Sequence, residues 1–558
     1  MSPRLFAPLL LACTLASAIP VEVNHPVAGF LRRLEEKGLI HPGFWNTLPR
    51  SEAEVARALE EAHHQESSLS SWDRRRLARY REEFDPALKR AGTRLRYQDT
   101  ALVLYGHVDF YTGLTVQDSI PKRLRAGFGT LSPGVEGTYG DNVYFLATAS
   151  ISSERNRNAR FNLNYDPQRG LPYNTARVGQ APVSTFDGFR TLIGFGDDRI
   201  RFEAGQDWNQ WGPGHWQHAT LGTHPYFWVQ DSLPPGLPGS AVGFNGTDHD
   251  VAYGLPAYAA ARSGYRYPGE GAPLPQLRFK IAGKNWEYTK IVAQRMGMDK
   301  NASAYLVAHR LQLRFGSWSL GGTEMLAVGD RSLDGIAMIP GVPLKIAEHG
   351  NGDLDNSALS GDIQWTWSGK GRFYAEFYLD DYSGPPLDFW GNKFAWVVGA
   401  SLQDPLGLPS EVHLEYARVD PWVYGHHLNN TQMQSYGALL GSSLPPNSHG
   451  IFASATFPLP AGFEGAAEWQ FRQRDLKSAG SSIFDDYYAL FPNVSSTKQF
   501  LAQDVETRNQ ISVSAEWTFH RTIRFKNAVG LLRVDSWKGH PGENLTTPIL
   551  SSELFLKY

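Results

Sequence analysis

The 558-residue chain predicts an all-β transmembrane antiparallel barrel of about 18 strands, preceded by a small α-helical segment. Three observations carry that reading. Apolar and polar residues alternate with period two through about 17 to 19 runs, most of about 9 to 13 residues, the length a tilted strand needs to cross a bilayer. The polar face of these runs holds ionised groups of both signs, which suits a wet or salt-bridged lumen. The chain also ends on such a run, with Leu550, Leu554, Leu556 and Tyr558 on one face and the aromatic last.

Composition narrows the class. Aromatics make up 13% and charged residues only 20%, with 55 Gly and 35 Pro, which excludes a disordered or coiled-coil chain. With 53 Lys+Arg against 56 Asp+Glu, the net charge is -3; there is no basic footprint, so nucleic acid is not expected as a partner. One cysteine makes neither an internal disulfide nor a thiolate zinc site. No stretch after the leader approaches ~18 uncharged apolar residues, so no transmembrane helix is expected. A mean hydropathy of -0.36 looks soluble, but transmembrane strands hide in such averages because polar lumen residues alternate with apolar ones.

Residues 1–18 read as a secretory signal: Arg4, then the apolar run from Leu5 to Leu15, then Ala16-Ser17-Ala18 as a small-residue cleavage site. Leu10-Leu11-Ala12-Cys13 loosely resembles a lipobox, so whether Cys13 is removed or lipidated stays open.

Residues 19–95 form the helical segment, expected on the periplasmic side. Val27, Phe30, Leu31 and Leu34 share one face before Gly38. Ser51 with Glu54 is a capping box for a second helix carrying Val55, Ala58, Leu59 and Ala62. A third helix runs from about Ser70 to Phe84, with Leu77, Tyr80 and Phe84 inward and Arg74, Arg75, Arg76, Arg79 and Arg81 expected on a solvated face. So short a head buries little core alone and is expected to pack on something larger.

Residues 96–558 are assigned to the barrel. Within 372–381, Phe373, Ala375, Phe377 and Leu379 share one face, and Tyr374, Glu376, Tyr378 and Asp380 the other. Leu277, Phe279 and Ile281 alternate in the same way with Gln276, Arg278 and Lys280. So do Ile511, Val513, Ala515, Trp517 and Phe519 with Ser512, Ser514, Glu516 and Thr518. Arg199, Arg201, Glu203, Arg310, Arg314, Glu415, Glu468 and Arg472 are further expected lumen charges. Only helices and closed barrels satisfy their backbone in lipid, so closure follows.

Long loops are expected at 208–274, 330–356, 382–393, 421–448 and 476–507, rich in Gly, Pro and aromatics and long enough to fold over a barrel mouth. Flat rings beside amides and carboxylates are what a sugar surface needs, because rings cover the C–H faces of pyranoses while polar groups bond the hydroxyls. Trp208, Trp211, Trp216, Trp228, Trp390, Trp422 and Tyr424 are the candidate contacts, and the same rings also suit loop packing or an interface girdle. His215, His218 and His224, with Asp248-His249-Asp250, match no tight metal template, so no metal or other cofactor is expected. Glu324, Glu376, Asp380, Asp381 and Glu415 could supply a glycosidase pair, but lumen ion pairing is the simpler role. Neither a G-x-S-x-G elbow, a P-loop nor a dinucleotide fingerprint occurs.

Several stretches in shared order resemble the capsule assembly Wzi family of outer-membrane barrels. They are the head, Phe30 to Ile40 and Leu48 to Val55; Gly205-Gln206-Asp207-Trp208 to Trp211-Gly212-Pro213-Gly214; His309-Arg310-Leu311; Glu376-Phe377-Tyr378-Leu379-Asp380-Asp381; and Glu415-Tyr416, Tyr424, Gly437 to Gly441 and Pro446-Asn447-Ser448. The resemblance implies an 18-stranded barrel in the bacterial outer membrane, loops closing its outer mouth and helices at its periplasmic end. It also implies a lectin-like, non-enzymatic role in holding capsular or other surface polysaccharide. It adds the W-G-P-G neighbourhood and the pair Asp380 and Asp381 to the candidate ligand contacts. Outer-membrane lipid is the other expected partner, and docking of polysaccharide export machinery is left open. A channel or exporter is the alternative function, and a glycan- or lipid-modifying enzyme a second one.

Overall fold

The computed structural model describes residues 18–23, 25–85, 95–118, 123–140, 142–155, 174–178, 181–222, 273–296, 303–350, 352, 354–367, 369–428, 430–435, 438–519, 522–536 and 541–557. The expected leader, apart from Ala18, lies outside them, as do Trp228, His224 and Asp248-His249-Asp250.

Three helices open the fold: α1 (Val27–Glu36), α2 (Glu52–His63) and α3 (Ser71–Phe84). Eighteen long strands then close into an antiparallel barrel. They are β1 (Leu102–Asp118), β2 (Arg123–Tyr139), β3 (Val143–Arg155), β4 (Ala181–Gly196), β5 (Ile200–Asp207) and β6 (Leu274–Ala282). There follow β7 (Trp286–Met296), β8 (Ser303–Phe315), β9 (Trp318–Gly329), β10 (Asn356–Trp367), β11 (Gly371–Asp381) and β12 (Lys393–Gln403). The last are β13 (Glu411–Val419), β14 (Ser448–Pro458), β15 (Phe463–Arg474), β16 (Glu506–Phe519), β17 (Ile523–Asp535) and β18 (Leu545–Lys557). Each pairs with its chain neighbours, and β18 closes on β1 with Ile549 opposite Gln117 and Lys557 opposite Asp109. Two short helices, α4 (Gly335–Met338) and α5 (Leu344–Gly350), interrupt the connection from β9 to β10.

The period-two pattern has its physical cause here. On β11, Phe373 and Phe377 are 47% and 46% exposed while Tyr374 and Tyr378 are 3% and 0%. Apolar residues therefore face outward, which is favourable against acyl chains and not against water. Near the ends with short turns, Trp318, Trp365 and Phe373 stack across β9, β10 and β11, each ring pair 5.8 Å apart. Such a row of rings is an interface girdle.

Short turns, such as 197–199, 283–285 and 316–317, sit at one mouth, and the long loops sit at the other. The helical head enters the short-turn mouth. The Ser51–Glu54 capping box forms as expected, and Phe30, Leu34, Leu59, Leu77 and Tyr80 make the head's own core. Its charged residues bond the barrel wall: Arg50 to Glu287 at 2.5 Å, Glu54 to Lys280 at 2.6 Å, Glu36 to Arg372 at 2.9 Å and Arg33 to Asp404 at 2.5 Å.

Two expectations need correction. Arg76 is buried rather than solvated, because its guanidinium lies over the rings of Phe30 and Trp72 at 5.0 and 4.9 Å. Arg199 falls in the 197–199 turn and is exposed, so it is no lumen residue.

Candidate functional site

From the long-loop mouth, residues 208–222 descend into the barrel and meet the head. Thr47 and Leu48 pair with Trp211 and Gln210 as a two-residue ladder, and the Gly212 N–H donates to the Asn46 carbonyl at 2.9 Å. Two segments, one from each mouth, thus meet inside the lumen.

Two wall carboxylates fix this loop. Glu376 on β11 accepts the Gly214 N–H at 2.8 Å and the Ala219 N–H at 2.9 Å. Glu415 on β13 accepts the N–H groups of His215 at 2.7 Å and Gln217 at 2.8 Å, with the Tyr374 hydroxyl at 2.7 Å. The W-G-P-G sequence follows from this closeness. Gly212 has φ +114, and a Cβ there would stand 2.3 Å from the Glu376 carboxylate; one on Gly214 would stand 1.8 Å from the Gln217 carbonyl. Both carboxylates are committed to backbone amides, an arrangement that anchors a loop and does not present a glycosidase pair. Glu324 lies elsewhere, on the outward face of β9, ion-paired with His309 at 2.9 Å.

A second device holds the 430–434 segment. Arg295, at the end of β7 and 1% exposed, donates to the carbonyls of Asn430, Gln432 and Gln434 at 2.8, 2.8 and 2.7 Å, and to those of Tyr305 and Val328 on the wall. Nothing in the sequence pattern singled this arginine out, because its partners are all backbone.

The candidate rings separate into two groups. Trp208 packs into the core of the helical head, and Trp211 is fully buried in the lumen. Trp216 stacks on Phe452 inside the barrel at 5.9 Å. Tyr424 is 2% exposed; its N–H donates to Asp380 at 2.6 Å and its hydroxyl to the Ala219 carbonyl at 2.9 Å. Asp380 therefore holds a loop turn in which Tyr424 has φ 66, and Asp381 pairs with Lys393 at 2.7 Å. Burial keeps Trp208, Trp211, Tyr424 and Asp380 away from a polymer at the cell surface, and half-buried Trp216 packs against the lumen core.

The other group is a cluster on three loops. Trp390, from 382–392, stacks on Tyr487 at 3.8 Å and 7° and meets Trp422 edge-on at 5.9 Å. Tyr488 stands edge-on to Trp390 at 5.7 Å and to His427 at 5.6 Å. Trp422 is buried beneath, against Gly480, whose missing side chain leaves room for the indole. Tyr488, Phe491 and Tyr382 are 66%, 61% and 59% exposed. Sequence reasoning found Trp390 and Trp422 but missed Tyr487, Tyr488 and Phe491, which come together only through loop folding. Burial, with His427 and Lys393 nearby, pushes His426 down to about 3, leaving it neutral near pH 7.

Among the described residues one trio of donor side chains, Glu36, Glu411 and His413, has ligand atoms within 4.8 Å of one another. The Arg372 guanidinium and Gln403 amide already hold Glu36, and His413 is bonded to Glu411, so the trio works as part of the head–wall junction.

The fold and its outward apolar belt define a bacterial outer-membrane β-barrel. No family model matches the chain, and no curated protein does. Among solved structures it is similar to Wzi of Escherichia coli, an outer-membrane protein involved in group 1 capsule assembly and described as a carbohydrate-binding β-barrel. That match has TM-score 0.55 and 12% identity, and covers 96% of this chain and 99% of that one. It is also similar to Pseudomonas aeruginosa OprD, with TM-score 0.40, 9% identity and 84% and 97% covered. The match to Acinetobacter baumannii OccAB4 has TM-score 0.41, 8% identity and 83% and 99% covered.

Proposed function

We propose that this protein is a non-enzymatic outer-membrane lectin of the Wzi kind, which binds capsular or other surface polysaccharide and retains it at the cell surface. The observation that carries this reading is the aromatic cluster in which exposed Tyr488 and Phe491 and half-buried Trp390 pack on buried Tyr487, raised on loops above a lumen entered from both ends. Rings of this kind cover sugar faces. A repeating polymer meets the cluster many times over, so weak contacts accumulate into retention. The carbohydrate binding described for Wzi and the ordered motif resemblance support the same reading.

The test is the ratio of cell-bound to shed polysaccharide in cells with the protein, without it, and with Trp390→Ala plus Tyr488→Ala. Equal total polymer with more of it shed, both without the protein and in the double variant, is the expected result. An unchanged ratio overturns the reading.

A channel reading draws on one observation. The lumen faces of β2 and β3 carry a half-buried hydroxyl ladder, Thr130 to Ser152 at 2.9 Å and Ser132 to Ser150 at 2.8 Å. A path for small solutes along it predicts stable conductance in planar bilayers; silence removes that function.

A further inference from the structure

The connection from β9 to β10 does not fold over the barrel mouth, as its length suggests from sequence. It lies against the outside of the wall. Val307, Leu326 and Val328, all on the outward faces of β8 and β9, are buried beneath Ala337 of α4 and Leu344 of α5.

What this segment covers is unusual for a barrel exterior. One cross-strand row runs in register through Phe279, Lys290, His309, Glu324, Leu359 and Leu379 on β6 to β11. The ends of the row are apolar, with Leu359 45% exposed; the middle three are ionisable. Toward the short-turn end of the same wall, Leu311, Leu313 and Phe315 are exposed at 44%, 40% and 50%. A lysine, a histidine and a glutamate in that belt are costly to leave against acyl chains. The segment's backbone bonds two of them, and Glu324 in turn pairs with His309: Lys290 donates to the Ile339 carbonyl at 2.9 Å, and the Lys345 N–H donates to Glu324 at 2.9 Å. The Gly341 N–H reaches the neighbouring Tyr288 hydroxyl at 2.9 Å. Its polar backbone is thus turned to the wall. Outward it presents Ile336, Met338, Ile339 and Ile346, at 47%, 42%, 53% and 68% exposure, with Lys345 and His349 the ionisable groups beside them.

We infer that residues 335–350 form a membrane-embedded roof, which covers the Lys290–His309–Glu324 row and binds the acyl chains of the surrounding lipid through Ile336, Met338, Ile339 and Ile346. Continuity with the exposed apolar wall fixes lipid as the occupant. Isoleucines carried on a connection above the membrane would gain nothing from facing out, whereas here they restore an apolar exterior where the wall lacks one.

The experiment uses the full chain in vesicles of phosphatidylethanolamine and phosphatidylglycerol. Cys13→Ser leaves Ile346→Cys as the only thiol, which receives a nitroxide. Collisions with oxygen, which concentrates among acyl chains, are compared with those of a water-soluble nickel chelate. The oxygen-to-nickel ratio is expected to match that at Leu313→Cys on the bare wall, and to exceed severalfold that at Leu387→Cys, exposed on the 382–392 loop. Met338→Cys provides a second site should the first variant fail to assemble. Nickel-dominated collisions overturn the inference, and so does shielding from both reagents, which would mean a protein cover such as a second copy.

Discussion

Glu415 of β13 and Gln217 of the loop that enters the lumen meet at 2.8 Å, carboxylate to backbone N–H. Through this bond and its neighbours the barrel wall holds its own plug, with the charge placed where amides converge. A carboxylate bonded to several N–H groups is a strong, charge-assisted anchor.

Glu415→Leu should therefore release the 214–219 turn while leaving the barrel closed. The loss of charge-assisted bonds to buried amides should cost about 3 kcal/mol. The check is proteolysis of the folded protein in detergent: new cleavage near 214–219 is expected, with strand content unchanged. Glu415→Gln, which keeps an acceptor, should fall between.

Arg295 makes a separate claim. Its guanidinium binds five carbonyls, so Arg295→Met should remove the guanidinium bonds from those of Asn430, Gln432 and Gln434. We expect the 430–434 segment to open with a loss of about 2 to 4 kcal/mol, read as faster amide hydrogen exchange there. Arg295→Lys should restore little, because an ammonium has three donors and no planar fork.

The head should lose stability in acid. Burial works against a charged Asp73, but the Arg33 guanidinium at 2.5 Å and the Lys37 ammonium at 2.8 Å outweigh it and hold its carboxyl well below the usual range. Glu83 is held low in the same way by His25 and Lys557, against its burial. A carboxyl whose folded value is depressed contributes stability above its unfolded value and loses it as pH falls toward the folded one. The window thus opens below about pH 4. Glu35, pushed up chiefly by burial, works the other way and offsets part of the loss. Thermal unfolding between pH 7 and 2 should show a drop below pH 4 in the native protein. Asp73→Asn should be destabilised at pH 7 and show a shallower drop.

Polymer binding should depend on exposed rings and not on buried ones. Tyr488→Ala and Phe491→Ala remove side chains that are mostly in solvent, so unfolding temperature should hardly change. Each should weaken polysaccharide binding by about 0.5 to 1.5 kcal/mol per contacted ring, measured by titration with purified polymer. Trp211→Ala should instead destabilise the lumen plug, because Trp211 is fully buried.

The alternation of Phe373, Tyr374, Ala375, Glu376, Phe377 and Tyr378 by itself determined a strand with one face for lipid and one for the lumen, because side chains on a strand change sides at every residue. Ser51 and Glu54 determined a helix start in the same local way. The W-G-P-G stretch was legible as a special backbone, though not its reason, which is the approach of Glu376 from β11. What the tertiary structure alone decided is where each polar residue finds its partner. Asp380 looked like a ligand contact and instead bonds the backbone of Tyr424; the connection through α4 and α5 looked like a lid for the mouth and instead covers Lys290, His309 and Glu324 on the outer wall. Local periodicity depends on neighbours along the chain and is readable from it. Partner choice depends on which distant segments the barrel's closure brings within 3 Å, and that distance exists only once the chain has folded.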